Sequence, residues 1–400
     1  MITINTEFLI LLIIFCVFML LSVLGTWFNL EKYGFFFFPL GFIYKTEFFN
    51  KILIKIADRG KRLHEVIYRI GKILALVITG VLIIYFIVNP FLLMFRSPFG
   101  IGLRLIIPGV TIDLKTALLF IIPIIFTLIP HEMAHAIMAR KEGIKIKSSG
   151  IFILLILFGG FVELAKDSLE KALPKKRIKV YMNGASINAV FAVIFLGLYF
   201  LTPAISLIGF KQADGVLVTN VYEGYPADKV GIQKKDVIIG MGKYNESLQK
   251  IVYIPVNNVK DYNSVILQFD NNSSLYVQLL QNETIVVTPT ITDPISGQNV
   301  SDKVYLGINI FDYYSPRVKW LSPMIPYYWN IEALYTLNLC VMAVFVNMLP
   351  LGITDGDKIF REYMNLKSKN ESKKRKILYG VRIFSALIII LNIVFTMIRW

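Results

Sequence analysis

The sequence predicts a membrane α-helical bundle of about six spans plus a re-entrant hairpin, with an extracytoplasmic domain of strands and short helices inserted between two spans. Three observations predict this fold class. The chain of 400 residues is 56% hydrophobic, with a mean hydropathy of +0.62. Its apolar residues fall in long runs, and its Lys and Arg residues fall mostly between those runs. This composition is typical of multi-span membrane proteins and rare in soluble ones.

Six apolar runs reach the length of about 20 residues that a membrane-spanning helix needs. They are 5–25, 73–97, 116–138, 180–208, 331–350 and 377–399. The first run is long and has no basic region before it, so we expect a retained membrane helix and not a cleaved signal peptide. Residues 34–44 are apolar but too few to span, and we expect them to lie in the membrane interface.

The formal net charge of +15 would suggest a nucleic-acid partner in a soluble protein. Here the cations flank the apolar runs, so we expect the lipid bilayer as their partner, and no nucleic acid. The positive-inside rule makes the basic segments 26–72, 164–179 and 357–376 cytoplasmic. The N-terminus and residues 209–325 are then predicted to be extracytoplasmic.

A shorter apolar run, 148–163, separates two basic segments that are both predicted to be cytoplasmic. A full span would place those segments on opposite sides of the membrane. We therefore predict a re-entrant hairpin that enters the membrane and returns. Non-helical backbone at that depth is tolerated where it lines a cavity inside the protein.

These predictions divide the chain into five parts. They are the N-terminal spans and basic loop (1–110), a membrane core (111–208), the extracytoplasmic domain (209–325), a further span with its following motif (326–362), and a basic loop with the last span (363–400).

Two of the three histidines lie four residues apart within the third apolar run, as His131-Glu132-Met133-Ala134-His135. On a helix, both imidazoles then lie on one face and can bind one zinc ion, while Glu132 can act as a general base on water. Burying these side chains in an apolar helix is costly unless they bind something. A catalytic zinc needs a third protein ligand, and the candidate is Asp355, predicted at the same membrane face; an ordinary turn residue is the equal alternative.

Three motifs in this order resemble those of the site-2 protease family of intramembrane zinc metalloproteases. They are the HExxH element at 131–135, a GxxxN element from Gly184 to Asn188, and an NxLPxxxxDG element from Asn347 to Gly356. The second motif has Ala185 where the family has proline. The third has Asp357 where the family has a second glycine, which places a charge near the site.

The resemblance implies an endopeptidase that hydrolyses peptide bonds in transmembrane segments of single-span membrane proteins, as in regulated intramembrane proteolysis. It implies that His131, His135 and Asp355 hold one Zn²⁺ and that Glu132 is the catalytic base. Asn188 would hold the substrate carbonyl or its developing oxyanion, although an Asn that bridges two helices is an equal alternative.

The same resemblance implies a substrate-binding segment. Gly159 and Gly160 resemble the family's membrane-embedded strand, and we assign them with Asn347 to substrate binding. A protease needs an extended substrate because a helix engages its own carbonyl groups. An edge strand can capture such a segment by backbone pairing.

The extracytoplasmic segment resembles a single PDZ domain. Residues 225–232, followed by Asp236, match the PDZ pattern except that Lys235 replaces the usual glycine. We predict strands at 216–219, 237–239, 275–279 and 285–287, a helix at 259–264 and a closing strand at 306–308. The resemblance implies a partner with a free C-terminal peptide, or a module that excludes bulky ectodomains; a plain spacer is the alternative.

Two other functions fit parts of the sequence. An intramembrane His/His/Asp cluster could be the transport site of a metal transporter. A pseudo-protease that binds membrane proteins without cutting them is the other alternative. The sequence does not specify the substrate or whether a prior cut is needed.

Overall fold

The structure, a computed structural model, describes residues 6–103, 107–108, 111–155, 157–271, 273–281, 283–295, 297, 299–300 and 303–399. The chain divides into two compact units. The first unit is Met1–Gly197 together with Glu332–Trp400, and the second is Leu198–Ile331.

The helices are α1 (Thr6–Trp27), α2 (Phe48–Arg59), α3 (Lys61–Met94), α4 (Leu114–Leu119), α5 (Ile121–Lys141), α6 (Lys166–Lys171), α7 (Pro174–Phe200), α8 (Thr202–Ser206), α9 (Pro226–Lys229), α10 (Val259–Ile266), α11 (Ile325–Met348), α12 (Asp355–Lys367) and α13 (Glu371–Arg399). A short 3₁₀ helix covers Leu30–Tyr33. The strands are β1 (Phe35–Phe38), β2 (Gly41–Thr46), β3 (Ile146–Leu154), β4 (Leu157–Leu164), β5 (Phe210–Val221), β6 (Val237–Asn245), β7 (Lys250–Pro255), β8 (Leu275–Leu279), β9 (Thr284–Val287) and β10 (Ile308–Pro316).

Within the described residues, six helices are long and apolar enough to cross a membrane. They are α1, α3, α5, α7, α11 and α13, so the predicted number of spans is confirmed by length and composition. The predicted boundaries were less accurate. Helix α3 begins at Lys61, well before the predicted residue 73, because the basic stretch before the apolar run continues the same helix.

The first unit contains a four-stranded antiparallel sheet in the order β1-β2-β3-β4. The run 148–163 does turn back on itself, and it does so as the hairpin of β3 and β4, with residue 156 outside the described part. Residues 34–44, which are predicted to lie in the membrane interface, contribute to the hairpin β1–β2, which pairs with β3 from Gly41↔Leu154 to Thr46↔Ser149.

Two glycines permit the close pairing of β2 with β3. A Cβ atom on Gly41 would lie 1.8 Å from the Ile153 carbonyl oxygen, and one on Gly150 would lie 2.0 Å from that of Tyr44. Both approaches are to backbone, which cannot move aside without breaking the sheet. The outer edge of β4 carries no further strand among the described residues, and β4 is packed along α5.

The second unit is a sheet in the order β10-β5-β6-β8-β9, with β7 paired to β6. The predicted strands occur within β5, β6, β8 and β9, and the predicted helix is α10. Buried apolar residues from the strands and from α10 form its core: Val216, Val218, Ile238, Met241, Tyr262, Val265, Leu275 and Val277. The predicted closing strand begins later, as β10 at Ile308.

Candidate metal centre

Helix α5 presents His131 and His135 on one face, as their four-residue spacing requires. Their Nε2 atoms lie 3.2 Å apart. His131 is buried, with 5% of its surface exposed, and His135 is half-buried. Two imidazoles directed at one point of an apolar helix indicate a shared ligand, and a metal ion is the usual one.

Asp355, the first residue of α12, completes the cluster across 224 positions of sequence. Its Oδ2 atom lies 3.3 Å from His131 Nε2 and 2.9 Å from His135 Nε2. The structure therefore brings the three predicted ligands together. The other carboxylate oxygen, Oδ1, accepts a hydrogen bond from Lys358 Nζ at 3.1 Å, which leaves Oδ2 for the cluster.

The size of this triangle fits a zinc ion. Zinc binds His nitrogen and carboxylate oxygen at about 2.0–2.1 Å in a tetrahedron, so neighbouring ligand atoms are about 3.3 Å apart. The three observed separations, 3.2, 3.3 and 2.9 Å, are those of one tetrahedral face. Two His nitrogens and one carboxylate oxygen are also the donor set of a known class of catalytic zinc site, in which a fourth position stays open.

The atoms behind the histidines orient them for metal binding. His135 Nδ1 donates to the Val180 carbonyl oxygen at 2.8 Å, so the Nε2 lone pair faces the cluster. His131 Nδ1 lies 3.1 Å from the Asn188 side-chain amide. Asn188 is fully buried, and its Oδ1 has no hydrogen-bond partner among the described residues. Exchanging the amide oxygen and nitrogen satisfies both groups, since His131 Nδ1–H then donates to Oδ1 and frees Nε2 for a metal.

Glu132 lies beside the triangle and faces the sheet. Its carboxylate is within 4.8 Å of the ligand nitrogens of both histidines, so it competes with Asp355 for the third ligand position. Asp355 is closer to both nitrogens, and Glu132 Oε2 is engaged instead by the backbone N–H of Val162 in β4, at 3.3 Å. Asp355 is therefore the carboxylate that completes the triangle with the two histidines, and Glu132 lies beside it.

Two glycines make room for this arrangement. A Cβ atom on Gly184 in α7 would lie 2.5 Å from His135 Nε2 and 2.7 Å from His131 Nε2. A Cβ atom on Gly356 would lie 2.1 Å from the Met348 carbonyl oxygen at the end of α11. The first glycine lets α7 approach the imidazoles, and the second lets α12 begin directly against α11.

The predicted substrate-binding residues lie in two places. Gly159 and Gly160 belong to β4 and pair with Phe152 and Ile151 of β3, close to the N–H that binds Glu132. Asn347 lies in the last turn of α11, where its carbonyl oxygen is 3.0 Å from the Cβ position of Gly356. The structure thus links Asn347 to the Asp355 segment and not to the sheet.

An ion-pair cluster joins three strands of the sheet near the end of β4. Glu163 contacts Lys147 Nζ at 2.6 Å, Ser148 Oγ at 2.8 Å and Lys45 Nζ at 3.4 Å. The hydrogen bond from Lys147 lowers the pKa of Glu163 to about 2, so this carboxylate stays charged at neutral pH. The cluster fixes the register of β4 one residue away from Val162.

Three contributors to the site were not found from the sequence. Val162 and Val180 act through backbone atoms, which carry no residue-type signal. Lys358 was detectable in principle, because it follows Asp355 by one helical turn.

Comparison with known proteins gives matches over the same part of the chain. The model of peptidase family M50 matches residues 119–391. A membrane-bound transcription factor site-2 protease homolog of Arabidopsis thaliana is 25% identical over 181 residues, which are 44% of this chain and 35% of that protein. An uncharacterized protein of Methanocaldococcus jannaschii is 26% identical over 254 residues, or 63% of this chain and 59% of that one.

The chain thus spans about a third of the length of one relative and about three-fifths of the other. The family match covers more than half of the 400 residues. It includes every residue of the His131, Glu132, His135 and Asp355 cluster, and the described part of the chain has six candidate membrane spans. The chain belongs to peptidase family M50, a family of metallopeptidases.

Proposed function

We propose that the chain is a zinc-dependent endopeptidase that hydrolyses peptide bonds within transmembrane segments, the chemistry of regulated intramembrane proteolysis. One observation carries the proposal. Three ligand atoms form a face of zinc-binding size, and a glutamate beside them touches the free edge of a β-strand. Metal, base and a surface for an extended peptide are then adjacent.

A zinc ion held by His131, His135 and Asp355 would polarise the substrate carbonyl and make water acidic enough to attack it at neutral pH. Glu132 takes the proton from the attacking water and delivers it to the nitrogen of the leaving amide. Its position one residue after a ligand supports this role, because it reaches the cluster without joining the triangle.

The edge strand β4 supports a mode of substrate capture. The N–H of Val162 points to Glu132 and therefore away from β3, on the edge of β4 that pairs with no further strand among the described residues. A transmembrane segment that unwinds and pairs with β4 would pass its peptide bonds along the Glu132 carboxylate. Gly159 and Gly160 would lie under that strand.

A cavity of about 190 Å³ next to Glu132 supports an apolar substrate. Helices α2 and α5 and the hairpin β3–β4 line it, with mainly apolar side chains such as Phe49, Ile52, Met133 and Val162. The cavity has room for a side chain of Leu or Val size, and these residues are common in membrane spans.

For the topology, we propose that the N-terminus and the second unit are extracytoplasmic and that the zinc site lies near the cytoplasmic leaflet. The clustering of Lys and Arg in the segments 26–72, 164–179 and 357–376 supports this orientation. Substrates would then be single-span proteins whose transmembrane segments reach the site from within the bilayer.

For the second unit, we propose a PDZ-like role in selecting substrates. Its strand β10 is at the edge of the sheet, and the first backbone N–H of α10, at Val259, binds Asp312 of β10 at 2.7 Å. A helix beside an edge strand is an arrangement that can accept a C-terminal peptide as an added strand. Exclusion of bulky ectodomains is the other way in which such a unit could select trimmed proteins.

The test uses the purified chain in detergent with a fluorogenic peptide that contains a transmembrane segment. Glu132→Gln should keep its bound zinc and lose cleavage by about a hundredfold or more, the usual contribution of a general base. Glu170→Gln, an exposed residue of α6, is the matched control and should cut at the wild-type rate. Cleavage by Glu132→Gln at the wild-type rate contradicts the mechanism.

The same purified chain can be used to distinguish a protease from a metal transporter. Reconstituted into liposomes, a transporter would carry zinc across the bilayer, and His131→Ala would abolish the flux. We expect no flux that depends on His131, and we expect cleavage that does.

A further inference from the structure

We propose that Arg382, in the last candidate span, is a positioning residue for the metal ligand Asp355 and acts through the buried carboxylate of Asp357. The inference rests on the proposed zinc centre. It assigns a function to one of the two positions at which this chain departs from the family motifs, where Asp357 stands in place of a glycine.

Asp357 is fully buried and is held by two guanidinium groups. Arg382 of α13 grips both carboxylate oxygens, with Nε to Oδ1 at 2.6 Å and Nη2 to Oδ2 at 2.7 Å. Arg361, one turn along α12, contacts Oδ2 at 2.9 Å.

The two hydrogen bonds from Arg382 fix the orientation of the Asp357 carboxylate as well as its distance from the guanidinium. A planar guanidinium that binds both oxygens of a carboxylate leaves little freedom of rotation for either partner. Asp355 and Asp357 belong to the same first turn of α12. The grip on Asp357 therefore fixes the backbone that carries Asp355, whose Oδ2 must meet two imidazole nitrogens at about 3 Å.

The helix that supplies Arg382 is itself anchored in the membrane bundle. Asn89 Nδ2 of α3 donates to Asn392 Oδ1 of α13 at 2.7 Å, and both side chains are fully buried. Thr396 Oγ1 of α13 accepts a hydrogen bond from the Leu103 backbone at 2.8 Å. Arg382 therefore connects the segment that carries Asp355 to a helix that is itself held in place by buried hydrogen bonds.

A second ion pair holds the other half of α12. Arg177 Nη2 of α7 lies 2.8 Å from Glu362 Oε2, at an angle that forms an ion pair without a hydrogen bond. Helix α7 also carries Gly184 and Asn188, which touch the two histidines. Helix α12 is thus joined by ion pairs to two other helices, α7 and α13.

Arg361 provides the matched control. It contacts the same carboxylate as Arg382, but it belongs to α12 itself and is half exposed, with 53% of its side chain accessible. A pair within one helix cannot hold that helix against another. Arg361→Gln and Arg382→Gln therefore remove the same chemical group from the same aspartate, and only the second removes the connection between helices.

The experiment measures zinc affinity of the purified full chain in detergent by competition with a chromogenic chelator. Arg382→Gln should weaken zinc binding by about 10–100-fold, the usual effect of losing a group that orients a metal ligand. Arg382→Lys keeps the positive charge but cannot bind both carboxylate oxygens in the same plane. Its zinc affinity should lie between those of Arg382→Gln and the wild type. The zinc affinity of Arg361→Gln should stay within about twofold of the wild-type value, because a half-exposed ion pair within one helix contributes little.

Hydrogen exchange of residues 349–367, recorded without zinc, gives a second readout. Exchange should increase in Arg382→Gln and not in Arg361→Gln. If Arg382→Gln does not fold, Arg382→Lys must still bind zinc more weakly than Arg361→Gln. Equal zinc affinity of the Arg382 and Arg361 variants overturns the inference. Failure of the wild-type chain to bind zinc overturns the proposed metal centre, and the inference with it.

Discussion

At the residue scale, Gly184 sets the distance between α7 and the two metal-binding histidines. Its Cβ position lies within 2.7 Å of the Nε2 atoms of His131 and His135. These rings cannot move aside without opening the triangle that they form with Asp355. The glycine of the GxxxN motif therefore leaves room for the two imidazoles, in addition to its part in helix packing.

We expect Gly184→Ala to weaken zinc binding at least tenfold, because the added methyl group would displace the imidazoles of His131 and His135 from the positions that the ion requires. Gly197→Ala is the matched control in the same helix, because no heavy atom lies within 4 Å of its Cβ position. Bound zinc, measured by atomic absorption after dialysis against a weak chelator, distinguishes the two. Equal zinc content would show that α7 does not approach the histidines in this way.

Asn188 has two candidate roles that predict different measurements. An Asn that holds the substrate oxyanion affects kcat and leaves zinc affinity unchanged. The structure places the Asn188 amide 3.1 Å from Nδ1 of His131, on the side of the ring away from the cluster. We therefore expect Asn188→Ala to reduce zinc affinity by about 10–100-fold, as the loss of a group that orients a His ligand does. A lower kcat with unchanged zinc affinity would favour the oxyanion role.

The local residues of the site were predictable, and the distant ones were less so. His131, Glu132 and His135 follow from a spacing that one helical turn dictates. Asp355 lies 224 positions from His131, and spacing alone favoured an ordinary turn residue. The partner of Asp357 was not predicted, because the sequence does not indicate which carboxylate Arg382, inside the predicted span 377–399, would meet.

At the element scale, the sheet was only half predicted. The hairpin at 148–163 followed from two basic segments that must lie on the same side of the membrane. The neighbouring hairpin β1–β2 was not predicted from the sequence, because residues 35–38 are four consecutive phenylalanines without the alternation that marks a strand. The pairing depends on a long-range match, with Gly41 and Gly150 supplying the room.

One turn of the second unit has a residue in an unfavourable conformation. Lys235 has φ +86°, a region that glycine adopts freely and other residues seldom do. The PDZ pattern has glycine at this position. We expect Lys235→Gly to stabilise the second unit by about 1 kcal/mol. Hydrogen exchange of β5 and β6 in the full chain should slow.

Lys234→Gly is the control for this turn. Lys234 is equally exposed and does not have a positive φ, so a glycine there adds only backbone freedom and should not slow the exchange. Faster exchange in Lys235→Gly than in the wild type would show that the lysine is not strained.

At the scale of the whole molecule, hydropathy predicts the number of candidate spans but not which spans contact each other. The six spans were found because each is a continuous apolar run. The contact of α3 with α13 depends on two asparagines, Asn89 and Asn392, more than 300 positions apart. Polar pairs of this kind join helices in a bilayer, where apolar side chains gain little by leaving lipid for each other.

The position of the cut in a substrate is the best test of the proposed cleavage inside a membrane. The purified chain is reconstituted into liposomes with a single-span substrate, and the products are identified by mass spectrometry. We predict that both new ends fall within the apolar transmembrane segment and that Glu132→Gln yields neither product. Cuts confined to the flanking polar segments, or the same products from Glu132→Gln, would contradict the account.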